Sequence, residues 1–446
     1  MRRRLFIELD PPKILVLGFG TIILLGALLL SLPSATTDGK GLPLLDAFFT
    51  ATSATCVTGL VVVDTGDTFT AFGEVVILSM IQVGGLGFMS FATLLAFILG
   101  KRISLKERLI IQESFNNETV EGVVRLVKRI LIFTATAEIV GGILLSFRFS
   151  QDMAAGKAIY FGFFHAVSNF NNAGFDLMGG FRGLTAYAED PIVNLTVTSL
   201  ISLGGIGFIV MNELFEYRST RRLSLHSKMA LSVSSILVVG GALLIFILEY
   251  NNPATLKPLS AAGKIFGAFY QAVTPRTAGS NTLSIPDLKQ STLFLIIFLM
   301  FIGASPGSTG GGIKTTTFAV LIGAVKSQIR GREDVTFFGR RMDFSIVSKS
   351  LTVTLIAIFL VISMTMVLTI TEPGKDFLMI FFEVVSAFST VGLSMGLTPE
   401  LSSFGKILIL ITMFAGRVGP LTLAYAVAKK RKEDHYRYPA GKVMIG

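Results

Sequence analysis

Four short segments of the chain each run from an aromatic start through Thr, Ala or Val to a glycine: FFTATSATCVTGL ending at Leu60, FFHAVSNFNNAGF ending at Phe175, FYQAVTPRTAGS ending at Ser280 and FFEVVSAFSTVGL ending at Leu393. Aligned on Gly59, Gly174, Gly279 and Gly392 they share one register, with separations of 115, 105 and 113 residues. The triplets Val57, Thr58, Gly59; Asn172, Ala173, Gly174; Thr277, Ala278, Gly279; and Thr390, Val391, Gly392 hold no group that titrates or attacks. What they offer is bare backbone. Carbonyl oxygens from four strands meeting on one axis can replace the hydration shell of a monovalent cation, and glycine leaves the narrow point free of side chains. A glycine between two apolar helices is by itself an ordinary turn. Four in one register are read as pore loops.

Each segment opens with about ten moderately apolar residues able to form a short helix, then passes into a Thr, Asn, Ser and Gly run that cannot stay helical. That describes a re-entrant loop. Such backbone survives at membrane depth only where protein buries it or water bathes it, so the loops need helices around them. Hydrophobic residues make up 51% of the chain and charged ones 15%, with a mean hydropathy of +0.69, which points to lipid as the solvent. Eight stretches are long enough to span: Pro12 to Leu32, Gly73 to Leu99, Leu126 to Phe147, Val193 to Leu214, Met229 to Leu248, Thr292 to Val325, Ile346 to Ile370 and Phe404 to Ala428.

The net charge of +10 is not a nucleic-acid signal, because the basic residues gather in alternate connections. Arg2, Arg3 and Arg4 precede the first span, Lys101, Arg102, Lys106 and Arg108 follow the second, and Arg218, Arg221, Arg222 and Lys228 the fourth. Lys326, Arg330, Arg332, Arg340 and Arg341 follow the sixth, and Lys429 to Lys432 the eighth. Both termini are therefore placed in the cytoplasm of a multi-pass cell-membrane protein. The first apolar run is too long for a signal-peptide core and reads as a retained helix. Cys56 has no cysteine partner, and His165, His226 and His435 are isolated, so no disulfide, metal-ligand or nucleophile and base grouping stands out.

The expected fold is an all-α membrane protein of four helix, pore-loop, helix repeats in pseudo-fourfold arrangement around one pore, with eight transmembrane helices. The repeats are 1–105 (loop 55–60), 106–222 (loop 170–175), 223–342 (loop 275–280, with an intramembrane segment at 303–317) and 343–446 (loop 388–393, with a basic tail).

The second helix of each repeat carries a glycine cluster. GGLGF at Gly84 to Phe88 and GGIGF at Gly204 to Phe208 read as close-packing glycines. GRVGP occupies Gly416 to Pro420. The third cluster, GASPGSTGGGIKT from Gly303 to Thr315, should break its helix, either as a gate or as a plain kink. Arg417 and Lys314 are costly in a membrane unless they face water or a partner; snorkelling is open to Lys314 alone. Glu138 either pairs with a base or faces a cavity. Asn212 and Glu213 fit a solvated helix end. Asp176 either draws cations to the outer mouth or is an exposed loop carboxylate.

The VTG, NAG, TAG and TVG triplets resemble the degenerate filter of the Trk/Ktr/HKT superfamily of cation transporters, most of all its KtrB-type membrane subunits, and the resemblance covers essentially the whole length. Only TVG in the fourth repeat comes near the TVGYG loop of tetrameric potassium channels, so a simpler ion path is implied. The resemblance implies sodium-dependent potassium uptake, with potassium held at Gly59, Gly174, Gly279 and Gly392; four glycines go with potassium rather than sodium. It also implies a gate loop comprising Gly303, Pro306, Gly307, Ser308, Thr309, Gly310, Gly311, Gly312 and Lys314, and an Arg417 projecting into the pore beneath the filter. Sodium is the implied activator, and no covalent cofactor is expected. The implied partners are a second copy of the chain, membrane lipid and a cytosolic RCK-type, KtrA-like ring that itself binds ATP or ADP. Such a protein is not an enzyme. An alternating-access transporter of another solute and a membrane scaffold or energy-converting enzyme subunit are the competing readings; the latter leaves the fourfold register unexplained.

Overall fold

The computed structural model describes residues 11–87 and 123–419, with four isolated positions beyond. The ends of the expected second and eighth spans, the boundary between repeats one and two, and the basic clusters at 101–108 and 429–432 lie outside the described residues.

Among the described residues fourteen helices follow in order: α1 (Pro11–Leu30), α2 (Leu44–Thr55), α3 (Ala71–Leu86), α4 (Val123–Phe149), α5 (Ala155–Phe170), α6 (Pro191–Gly205), α7 (Phe208–Thr220), α8 (Leu225–Glu249), α9 (Ala261–Val273), α10 (Gln290–Phe301), α11 (Thr315–Ile329), α12 (Phe344–Thr371), α13 (Phe377–Ser389) and α14 (Ser403–Val418); single turns are left unlabelled. Four of them, α1, α4, α8 and α12, are long and apolar enough to cross a membrane, with mean hydropathy from 2.0 to 2.6 over their spans. They also keep large apolar side chains outward: Ile143 is 56% exposed, Ile236 69% and Phe359 73%. In water such faces would drive association, and in a bilayer they meet their solvent.

The short helices α2, α5, α9 and α13 have the opposite character. Thr50, Thr52, Ser53 and Thr55 of α2 are buried, as are Ser168 and Asn169 of α5 and Glu383 and Ser386 of α13. Polar side chains at membrane depth need protein around them, so these helices form the inner layer and the long ones shield it.

Hydrogen bonds at helix ends set the hairpins. Ser224, Ser260 and Ser402 cap α8, α9 and α14, and Asp190 caps α6. Glu249, ending α8, accepts from Lys289 N at 3.0 Å and from the Thr292 hydroxyl, tying the start of α10 to its partner. Glu372, just past α12, does the same for α14 through Ser402 N at 3.2 Å.

Two features depart from expectation. The span from Val193 to Leu214 is not one helix: α6 and α7 meet at 101° across Gly205 to Gly207. The chain is also not wholly helical, because β1 (Thr336–Phe337) and β2 (Arg340–Arg341) pair antiparallel, Thr336 opposite Arg341. Phe338 and Gly339 between them take positive φ of 46° and 74°, the backbone that two-residue hairpins require.

Candidate cation-binding site

Each short helix ends just before a triplet, and the chain then changes hand. Val57, Asn172, Thr277 and Thr390 have φ of 55°, 59°, 78° and 51°, and Gly59, Gly174, Gly279 and Gly392 have 88°, 69°, 81° and 91°. Left-handed backbone is strained for β-branched Val57, Thr277 and Thr390, by ~1 kcal/mol or more each, so something must hold it. The helix ends do: Thr58 N donates to Ser53 O at 2.8 Å, Ala173 N to Ser168 O at 2.8 Å, Ala278 N to Thr274 O at 2.9 Å and Val391 N to Ser386 O at 2.9 Å.

Hydroxyls behind the loops complete the frame, and sequence reasoning missed them. Ser53 and Ser386 accept from Gly59 N and Gly392 N, both at 3.1 Å, while Ser168 donates to Phe175 O at 2.7 Å. All three stand six residues before their glycine, a register visible in the sequence. The third repeat has Val273 there, and Thr274 next to it donates to Ser280 O instead.

The four loops meet in a closed ring. A methyl carbon built on Gly59 would collide with Ala173 O, one on Gly174 with Ala278 O, one on Gly279 with Val391 O and one on Gly392 with Thr58 O, at 2.6 Å or less in every case. Thus each glycine of the ring abuts the carbonyl that precedes the next. No carboxylate belongs to the ring, but the C-terminal ends of the four short helices converge behind it, each contributing roughly half a negative elementary charge. The environment favours a cation without fixing one tightly.

On one side the ring floors a cavity of about 470 Å³ lined by all four glycines and by Asp64, Asp176 and Glu400. Asp176 therefore lines this cavity rather than standing in an open loop. Burial pushes its carboxyl up to about 6, the 178 backbone N–H opposes this, and the nearby Asp64 and Asp67 push the same way as burial.

Beneath the ring α3, α6 and α14 end at their glycine clusters, where Gly87, Gly207 and Gly419 have φ of 82°, 97° and 91°. Packing holds, since a side chain on Gly84, Gly204 or Gly416 would collide with the carbonyls of Thr55, Phe170 and Phe388. The break adds a second consequence, because it frees helix carbonyls that need donors.

The segment from Gly303 to Lys314, which separates α10 from α11, supplies them. Ser305 N donates to Gly205 O at 3.0 Å and Thr309 N to Gly204 O at 3.2 Å, while Phe208 N donates to Gly307 O at 2.8 Å. Pro306 O lies against Gly207, and the Ser308 hydroxyl donates to Ser305 O at 2.6 Å. Gly310 packs on the Thr277 side chain, Gly311 N donates to the Thr390 hydroxyl at 3.1 Å, and Gly312 rests on Ser389. The segment is thus seated on α6 and α7 and pressed under the third and fourth loops.

Arg417 supplies the corresponding carbonyls of α3. Its guanidinium donates to Gly84 O, to Gly85 O at 3.4 Å and to Thr309 O, so one side chain joins α14, α3 and the interrupted segment. All its hydrogen-bond acceptors among the described residues are carbonyls, and no carboxylate among those residues pairs with its charge below the ring. Lys314 does not snorkel: its Nζ donates to Gly310 O at 2.6 Å, folding the ammonium back onto the segment. Asn212 and Glu213 lie on α7 and are engaged, Asn212 by Arg129 at 2.7 Å and Glu213 by Ser224 N at 2.9 Å. Glu138 lies behind the second loop, against Asn171.

The family model described as TrkH, a cation transport protein, matches residues 21–437. The Ktr system potassium uptake protein B of Bacillus subtilis is 45% identical over 441 residues, covering 99% of this chain and 98% of that one. The potassium/sodium uptake protein NtpJ of Enterococcus hirae is 38% identical over 453 residues, covering 100% and 99%. Among solved structures, the potassium transporter TrkH of Vibrio parahaemolyticus superimposes with a TM-score of 0.74 over 96% of this chain and 87% of that one, at 18% identity, a likeness of fold.

Proposed function

Because the chain belongs to the TrkH family of membrane cation transporters, which are not enzymes, we propose that it takes up potassium through the ring of four loops. The observation that carries the reading is the closed circuit in which each glycine abuts the carbonyl before the next, leaving backbone oxygens as the ligands. Val57 to Gly59, Asn172 to Gly174, Thr277 to Gly279 and Thr390 to Gly392 are then the filter. In this reading the chain is four repeats and eight spans about one pore, with both termini cytoplasmic. A potassium ion sheds water at the cavity on the Asp176 side, passes the ring and meets the segment from Gly303 to Lys314, which with Arg417 closes the path below.

Sodium dependence, a second copy of the chain and a nucleotide-binding cytosolic ring belong to the same proposal. Their support is that relatives are named as components of a Ktr system and as a potassium/sodium uptake protein. The breaks at Gly207 and at 303–314 are also what an alternating-access carrier uses to hold its solute, and turnover separates the two. Rubidium uptake into proteoliposomes, competed by potassium and by sodium, with and without such a ring, is the test. Rapid flux blocked by potassium is expected. Slow, saturating exchange of another solute, or no flux, defeats the pore.

A further inference from the structure

Of the two sequence readings of Glu138, pairing with a base does not hold among the described residues: no Lys or Arg forms an ion pair with it, and its side chain meets amides. Glu138 is 9% exposed. One carboxylate oxygen accepts from Asn171 Nδ2 at 3.0 Å and the other from Gln82 Nε2 at 3.3 Å. Asn171 Nδ2 also donates to Gln82 Oε1 and to Val167 O, both at 2.9 Å. Three side chains, from α3, α4 and the end of α5, thus close a buried triangle.

Asn171 is the last residue before the second triplet. Its backbone is right-handed, at φ −78°, and Asn172 turns left-handed at 59°. That corner is what lays Ala173 O against Gly59. Its side chain has no freedom to leave: any side-chain carbon on Gly85 would collide with Asn171 Oδ1, so α3 walls it in from the opposite side. The same register position holds Cys56, Arg276 and Ser389 in the other loops. Cys56 and Ser389 are small and neutral, and Arg276 reaches Ser234 on α8 at 3.1 Å. Among the described residues, Asn171 is the one of these four positions that bonds a carboxylate. The second loop is also linked forward, since the Asn172 amide and the Thr277 hydroxyl lie 3.1 Å apart.

We propose that Glu138, through Asn171, is the positioning residue of the second loop and by that route a determinant of potassium over sodium selectivity. The inference rests on the reading of the ring as the filter. A hydrogen bond to a carboxylate is roughly twice as strong as one between neutral groups. Loosening it lets the loop move inward, and a ring that can contract is one that can also coordinate the smaller sodium ion.

The test uses the full chain in proteoliposomes, with rubidium uptake competed by potassium and by sodium. Glu138→Leu and Asn171→Ala should each lower the ratio of the sodium to the potassium half-inhibition concentration about tenfold, the scale of one lost hydrogen bond to a charged group. The double variant should fall no further, because both changes cut the same bond. Glu138→Gln, whose amide oxygen still accepts from Asn171 but without the charge, should give a ratio between those of the wild type and Glu138→Leu. A Glu138→Leu protein that loses uptake with its ratio intact, or effects that multiply in the double variant, overturn the proposal. If Glu138→Leu does not yield monodisperse protein, Gln82→Leu, which spares the Glu138 bond to Asn171, must discriminate better than Asn171→Ala; equal ratios overturn the proposal. A wild type that passes rubidium without preferring potassium defeats the filter reading itself, and this inference with it.

Discussion

Ala173 O abuts Gly59 so closely that no side-chain carbon fits between the first and second loops. Gly59→Ser must therefore push the two strands apart, and its φ of 88° adds strain. Preference for potassium over sodium should fall about tenfold, ~1.4 kcal/mol, in rubidium-uptake competition. Unchanged half-inhibition by both ions would count against a ring whose spacing selects the ion.

Gly310 to Gly312 press under the third and fourth loops, and glycine is what lets them approach Thr277, Thr390 and Ser389. Deleting these three residues should raise rubidium flux several-fold, on the order of a gate partly opened at a cost of ~1 kcal/mol. Flux that stays level or falls would identify the segment as a structural kink.

Arg417 both carries a charge below the ring and joins α14 to α3 and Thr309. An unneutralised arginine at membrane depth costs ~3 kcal/mol, a cost offset by its carbonyl acceptors. Arg417→Gln removes charge and most of the bridge, and should increase flux. Arg417→Lys keeps the charge without the planar fork, so it separates the two effects. Flux as low as wild type in the lysine variant assigns the barrier to charge; flux matching the glutamine variant assigns it to bridging.

Asp176 has its carboxyl held near 6, above the ordinary carboxylate range, by burial and by Asp64 and Asp67. Below that pH the mouth loses a negative charge, so the half-saturating rubidium concentration should rise as pH falls from 7 to 5, and Asp176→Asn should be flat over that range. Stability runs the other way. The folded state binds the proton more tightly than the unfolded chain, so the contribution present at pH 4 is lost as pH rises through 6. Asp176→Asn should melt higher than wild type at pH 7, and a lower melting temperature there would contradict the burial penalty.

Much of this molecule was readable along the chain. The glycine register located the triplets because four strands that approach this closely leave no room for a side chain, and that constraint repeats wherever the loop does. The run from Gly303 to Gly312 announced a broken helix because proline and five glycines within ten positions cannot sustain one. The bend between α6 and α7 was not legible, because GGIGF serves equally for close packing, and only a left-handed Gly207 distinguishes the two. The hydroxyls of Ser53, Ser168 and Ser386 stood in register, yet nothing in their residue type separates a loop anchor from an ordinary polar residue in a short helix.

By itself the sequence determined a lipid-embedded chain, four loops of bare backbone and the place where the third inner helix fails, since these follow from composition, periodicity and backbone sterics. Tertiary structure alone decided which groups meet. That Arg417 reaches Gly84 and Thr309, that Lys314 folds onto Gly310 and that Glu138 holds Asn171 all depend on contacts between distant stretches of chain. A freed carbonyl or a buried charge must find a partner, but nothing local to it says which one.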